Sequence, residues 1–267
     1  MKKIVARRWE IDCLRGVSVG LMLISNFLFD LAYFAGLTQL QSDRLDWFAR
    51  IVAGTFIALA GVSLTLSQTR PDVRVAHDTL LCEQTSGKAA GLSSDFLLVG
   101  RFAKVVRRGL SLMGLGCVVS GATWLVAGNQ MVIFGVLHLI GAGRILAYPF
   151  LGYPRGSLIV GLLVVSAAAI TSRLRLAHPW FLWLGLQPHD FSSVDYTPLI
   201  PWFGVMLIGV FLGSVIYPGG TPRWQVPDYS RRWPVRTLSW CGRHSLLIYF
   251  IHQPILMAGI ALTRKWW

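Results

Sequence analysis

Residues 242–254 read GRHSLLIYFIHQP. His252 stands inside a run of residues apolar enough for a bilayer, and a second histidine, His244, lies at the start of that run. An ionisable group at membrane depth costs several kcal/mol and is a functional candidate by default. A neutral imidazole can accept or relay a proton, which is the chemistry such a residue could do. On a helix, His252, Ser245, Tyr249 and Gln253 fall within about 100° of one another. His244 lies about 80° round from His252 and roughly 12 Å away along the axis. The two histidines therefore cannot share one metal. His244 and Arg243 belong at the membrane boundary, and His252 near the bilayer centre.

Other polar residues join this set. In FGVLHLIG, His138 sits about 10 Å from the nearer end of an apolar run, in the outer half of a membrane or near its midplane. In the first apolar segment, Asp12, Arg15, Asn26 and Asp30 fall within about 60° on a helical wheel. Asp12 and Arg15 are three apart and can pair, which also suits an ion pair at the interface, and Asn26 also suits a bond between helices. Gly54 and Gly61 of AGTFIALAGVSLTLS fit close helix packing. Asp195 and Tyr196, in SSVDYTPLIPWFG, precede a helix start stiffened by Pro198 and Pro201. Asp195 there is placed to contact an acceptor substrate. No metal-ligand spacing, P-loop, dinucleotide fingerprint or redox pair occurs, and no metal is expected.

The elements that must position these groups are membrane helices. The chain of 267 residues is 54% hydrophobic and 14% charged, with a mean hydropathy of +0.56. A soluble domain carries roughly a quarter charged residues. The apolar runs predict an all-α bundle of about seven spans, over 14–37, 48–67, 108–127, 131–151, 156–171, 198–217 and 243–262. An aromatic-rich piece at 180–186 lies at the interface or re-enters. The net charge of +13 sits mostly in loops, where it sets topology and meets anionic headgroups rather than nucleic acid. Lys2, Lys3, Arg7 and Arg8, then the loop at about 68–106, Arg155 and the loop at 218–242 alternate to one side. That places the N-terminus in the cytoplasm. The loop at about 68–106 is the long polar linker and is expected to be mobile. Four scattered cysteines suggest no disulfide. A set of polar groups converging on the midplane fits a membrane-embedded transferase and a transporter alike. A small-solute or proton-coupled transporter is the rival class, but no repeat or discontinuous helix is visible.

Five stretches carry a resemblance. RRWEIDCLRGVSVGLMLISN, AGTFIALAGVSLTLS, FGVLHLIG, DYTPLIPWFGVMLIGVFLG and GRHSLLIYFIHQPIL occur in this order. Together they resemble a bacterial family similar to the catalytic domain of heparan-α-glucosaminide N-acetyltransferase, within a broader group of transmembrane acyltransferases. The resemblance implies one transmembrane acyltransferase-like domain over 1–267, in a bacterial cytoplasmic membrane. It implies transfer of an acyl group from cytosolic acetyl-CoA or another acyl-CoA to a sugar or other small acceptor on the outer side. Asp12, Arg15, Gly16, Asn26 and His252 match the pattern of the lysosomal relative. That relative also has a histidine after its first span, whereas residues 27–46 contain none here. On this reading His252, His138, Asn26 and Asp30 are the catalytic candidates. Asp12, Arg15, Arg107, Arg108, Arg243, His244 and Ser245 are the candidates for holding the acyl-CoA. Asp195, Tyr196, Tyr249 and Gln253 are those for the acceptor. A homo-oligomer is compatible with all of this.

Overall fold

Long apolar segments that begin with acids form the first helices. Carboxylates favour the positive end of a helix dipole. Glu10 and Asp12 open α1 (Trp9–Phe34), and Asp43 and Asp46 open α2 (Asp43–Gln68). The structure is a computed structural model describing residues 8–34, 43–68, 90–127, 131–174, 176, 178–188, 191, 193, 195–224 and 227–264. Then follow α3 (Ala90–Ala127), α4 (Val136–Leu146), α5 (Pro154–Thr171), α6 (Leu199–Ile216), α7 (Trp233–Arg243) and α8 (Ser245–Arg264). Short 3-10 turns span Tyr148–Gly152, Pro179–Leu184 and Pro218–Gly220. Among the described residues the regular structure is helical, as the sequence predicts.

Four stretches are long and apolar enough to cross a membrane: Trp9–Phe29 within α1, and α2, α5 and α6. The helices α3 and α8 cover the segments expected to span at 108–127 and 243–262. The segment expected to span at 131–151 is instead broken. Its first residues are not helical, α4 has 11 residues, and a 3-10 turn containing Pro149 follows. Gly135 at the start is extended, and proline lacks the N–H that would continue the ladder. An 11-residue helix is about 16 Å long, half a bilayer core. From Ala90 onward the expected linker is helical, as the start of α3; residues 69–89 lie outside the described residues. The segment at 233–242, expected to be loop, forms nearly all of α7.

Two compact units emerge. One comprises residues 1–59 and 224–267, the other residues 60–223, so α2 contributes to both. In the first unit α1 packs against α7 and α8. Two glycines make the α1–α7 crossing possible. A Cβ on Gly16 would overlap the carbonyl of Leu238, and one on Gly242 the carbonyl of Asp12. In lipid, helices gain little from leaving an equally apolar solvent, so close backbone approach of this kind carries the association.

The second unit follows the same rule. Gly161 of α5 faces Gly204 of α6, and Gly109 of α3 faces Gly141 of α4. Gly61, expected from the sequence to pack closely, meets the α6 backbone at Met206 and Val210. One turn on, Thr65 Oγ1 donates to the Val210 carbonyl at 3.2 Å. Leu64, Val105, Ala147, Leu207 and Val210 form the buried core beside these crossings.

Candidate active site

The site is built on α1 and α8. Asp12, Arg15 and Asn26 are carried by α1, and His252 by α8. Asp12 is buried, and its Oδ1 lies 3.9 Å from Nη1 of Arg15. Asn26 is 11 residues further along, about 16 Å up the axis. There its Nδ2 lies 2.8 Å from Nε2 of His252, which is 7% exposed. Two residues 226 apart in sequence thus meet directly.

The hydrogen bonds fix the tautomer of His252. Its Nδ1 lies 2.7 Å from the carbonyl of Tyr249 and 3.3 Å from that of Ile248. A carbonyl only accepts, so Nδ1 carries the proton and donates. In the neutral ring Nε2 then has a lone pair, which the Asn26 amide satisfies by donating to it. Burial, an anchored N–H and an unprotonated nitrogen are what a general base needs. The Tyr249 ring, 5.7 Å away, packs beside it. The side chains of Asp30 and Gln253 lie outside the described residues.

The candidates near the ends of α7 and α8 are arranged differently. The helix breaks at His244, where φ is −103° and ψ is 18°, and resumes at Ser245. His244 is exposed, with Nδ1 2.9 Å from the Trp240 carbonyl and its ring 4.4 Å from that of Trp240. Arg243 ends α7 and is exposed, and Ser245 is half-buried. Arg107 and Arg108 are exposed on α3, in the other unit.

His138 belongs to that other unit and is buried in α4. Its ring stacks on Phe134 at 5.6 Å and lies over Gly116, where a Cβ would come within 2.8 Å of it. Nε2 is 3.7 Å from the sulfur of Cys117. Nδ1 is buried with no hydrogen-bond partner. A buried N–H without an acceptor costs more than a bare lone pair, so the proton belongs on Nε2. The nitrogen facing Cys117 is then a donor. Of the two histidines chosen from the sequence, His252 alone has the hydrogen bonds of a base at rest. Cys117 is a neighbour that sequence reasoning did not supply, because the contact joins two helices.

Asp195 and Tyr196 are tied into the start of α4. Oδ2 of Asp195 accepts from the Val136 N–H at 3.3 Å, and Oδ1 accepts from Thr197 Oγ1 at 2.9 Å. The Thr197 N–H donates to the Phe134 carbonyl at 2.8 Å. Tyr196 donates from its hydroxyl to the Leu182 carbonyl at 2.6 Å. Burial pushes the Tyr196 phenol up from its ordinary value, and a hydrogen bond with Gln187 offsets part of this. Asp195 thus acts as a helix cap supplied from a distant loop. Asp195→Ala is expected to destabilise the protein by about 1 kcal/mol, read as a lower thermal midpoint, while Asp195→Asn retains part of it through its amide oxygen. An unchanged midpoint for Asp195→Ala would show that the cap contributes nothing.

Among the described residues no group of three or more His, Cys, Asp or Glu side chains has the geometry of a metal site. No curated protein and no solved structure matches the chain. A family model described as "Heparan-alpha-glucosaminide N-acetyltransferase, catalytic" matches residues 7–254, a range that includes both Asn26 and His252. The match spans nearly the whole sequence, and the four long apolar helices agree with a membrane acyltransferase. The chain therefore belongs to the family of the heparan-α-glucosaminide N-acetyltransferase catalytic domain.

Proposed function

We propose that the protein moves an acyl group from cytosolic acyl-CoA, acetyl-CoA being the first choice, to an amine or hydroxyl of a sugar or similar small acceptor on the far side of a bacterial cytoplasmic membrane. The contact between Asn26 and His252 carries this reading, because it presents an anchored imidazole with an unprotonated Nε2, held by the Asn26 amide, at a buried level of α1 and α8.

In the transfer, the acceptor nitrogen or oxygen attacks the thioester carbonyl as Nε2 of His252 takes its proton. The C–S bond then breaks, and the thiolate leaves with a proton returned from the imidazolium. Asn26 yields Nε2 to the acceptor. Its amide N–H groups are then free to donate to the oxyanion that forms on the former carbonyl. The ion pair of Asp12 and Arg15 lies about 16 Å further along α1. That separation suits a donor whose charged end stays near the membrane surface while its pantetheine arm reaches inward. Arginines are suited to the phosphates of such a donor because the guanidinium binds them bidentately. Arg15 and Arg243, which belong to the same unit, are the groups proposed for it.

The test is release of free CoA thiol by the purified protein in proteoliposomes supplied with acetyl-CoA. Glucosamine serves as the first acceptor probed. Acceptor-dependent CoA release with appearance of the acetylated product is expected. Binding of acetyl-CoA without turnover over a panel of amines and sugars would count against transfer.

A further inference from the structure

The helix α7 has two unlike faces. Ser239 and Gly242 are buried against α1. The opposite face shows Trp233, Arg236, Thr237, Trp240 and Arg243, all exposed and spread over about 120° of the helix. Tryptophan and arginine alternate along it, three or four residues apart, so each arginine has a ring within one turn. Trp233 is 78% exposed and Trp240 51% exposed.

The charge is one-sided as well. Residues 227–243 hold four arginines and one aspartate, Asp228, whose carboxylate accepts from the Ser230 N–H at 2.9 Å. Arg232 lies over the Tyr229 ring at 4.6 Å, and that ring meets Trp9 edge-on at 6.3 Å. Depth follows from the packing. The backbone contacts of α7 fall at Asp12 and Gly16, within the first turns of an apolar stretch long enough to span. The helix then breaks at His244 before α8. A short amphipathic helix at the mouth of a span, with tryptophans and arginines outward, lies at headgroup level.

We propose that this outward face of α7 is a binding site for an anionic phospholipid. Arg236 holds the phosphate, and Trp233 and Trp240 flank it and cover the glycerol and carbonyl region. Arg232 adds positive charge beside it. The occupant is a lipid rather than a soluble anion, because two large exposed rings beside the arginine need an apolar partner. The lipid is anionic because the face carries no acid to meet the cationic group of a zwitterionic headgroup. This inference is independent of the acyl-transfer reading.

The test uses the full chain in vesicles of phosphatidylcholine doped with phosphatidylglycerol, followed by native mass spectrometry of the lipids retained. The wild type is expected to retain phosphatidylglycerol in preference, with the preference fading as salt rises. Arg236→Gln is expected to reduce that retention about fivefold. Trp240→Ala should reduce retention of both lipids. Arg236→Lys, which keeps the charge, should recover most of the preference. Arg155→Gln, at an exposed arginine on α5, should leave it unchanged and serves as a control for general charge loss. Equal retention of the two lipids by the wild type would overturn the site. So would undiminished retention in Arg236→Gln, or displacement of phosphatidylglycerol by free CoA, which would make the face a nucleotide phosphate site.

Discussion

His252→Ala is expected to lower the rate of acyl transfer by about 10²–10⁴-fold, the usual contribution of a positioned general base, with acyl-CoA binding little changed. The imidazole is buried, its Nδ1 proton is held by the Tyr249 carbonyl, and its Nε2 is met by the Asn26 amide. Alanine removes the proton acceptor and leaves the Asn26 amide without its partner. His252→Gln restores a polar side chain of similar length but no base, so it should be nearly as slow. Free imidazole added to the alanine variant should recover part of the rate, which a merely structural histidine would not show. Single-turnover transfer in proteoliposomes is the measurement. Full activity in His252→Ala would move the base elsewhere, and His138→Ala is the next variant to test.

The second large effect concerns folding. Gly16→Val is expected to cost 3 kcal/mol or more, beyond the usual range of about 1–3 kcal/mol for overpacking. The added carbons would meet the carbonyl of Leu238, and a backbone atom cannot step aside by changing rotamer. The helices must separate, and α7 would lose its seat on α1. Gly20 lies one turn further along the same helix with nothing within 4 Å of a Cβ. Gly20→Val is therefore expected to stay near wild type. The monodisperse fraction and thermal midpoint of the two variants, purified side by side, decide the matter. Equal behaviour would mean that the crossing is looser than its geometry.

Much of this architecture is written in local sequence. The acids in the first turns of α1 and α2, the long apolar runs and the prolines at the start of α5 and α6 mark their elements without tertiary help. What the sequence hid has physical reasons. The arginines of 231–243 suggest a solvated loop, and the period of Val235, Leu238, Ser239 and Gly242 that makes α7 is short and contains one glycine. The break of the 131–151 segment rests on Gly135 and Pro149, which a hydropathy window averages away.

At the site, both Asn26 and His252 stand out as polar groups in apolar helices. The wheel gives their faces but not their meeting, because the contact joins residues 226 apart in sequence on two helices. The same limit applies to Asp195, whose carboxylate caps a helix that starts 59 residues earlier. Only the fold shows that the carboxylate has a backbone N–H to satisfy.

The span of 226 residues between Asn26 and His252 has a consequence for biogenesis. The unit that contains them is made from the two ends of the chain. Synthesis at 5–20 residues per second leaves roughly ten seconds or more between emergence of the first helix and of the last. During that interval α1 carries Asp12 and Asn26 without α7 or α8 to pack against, so its early residence in the membrane depends on the insertion machinery or on transient neighbours. A chain arrested before residue 224 would lack His252, the proposed base. Synthesis of α8 is thus the step that brings the proposed base to its partner on α1.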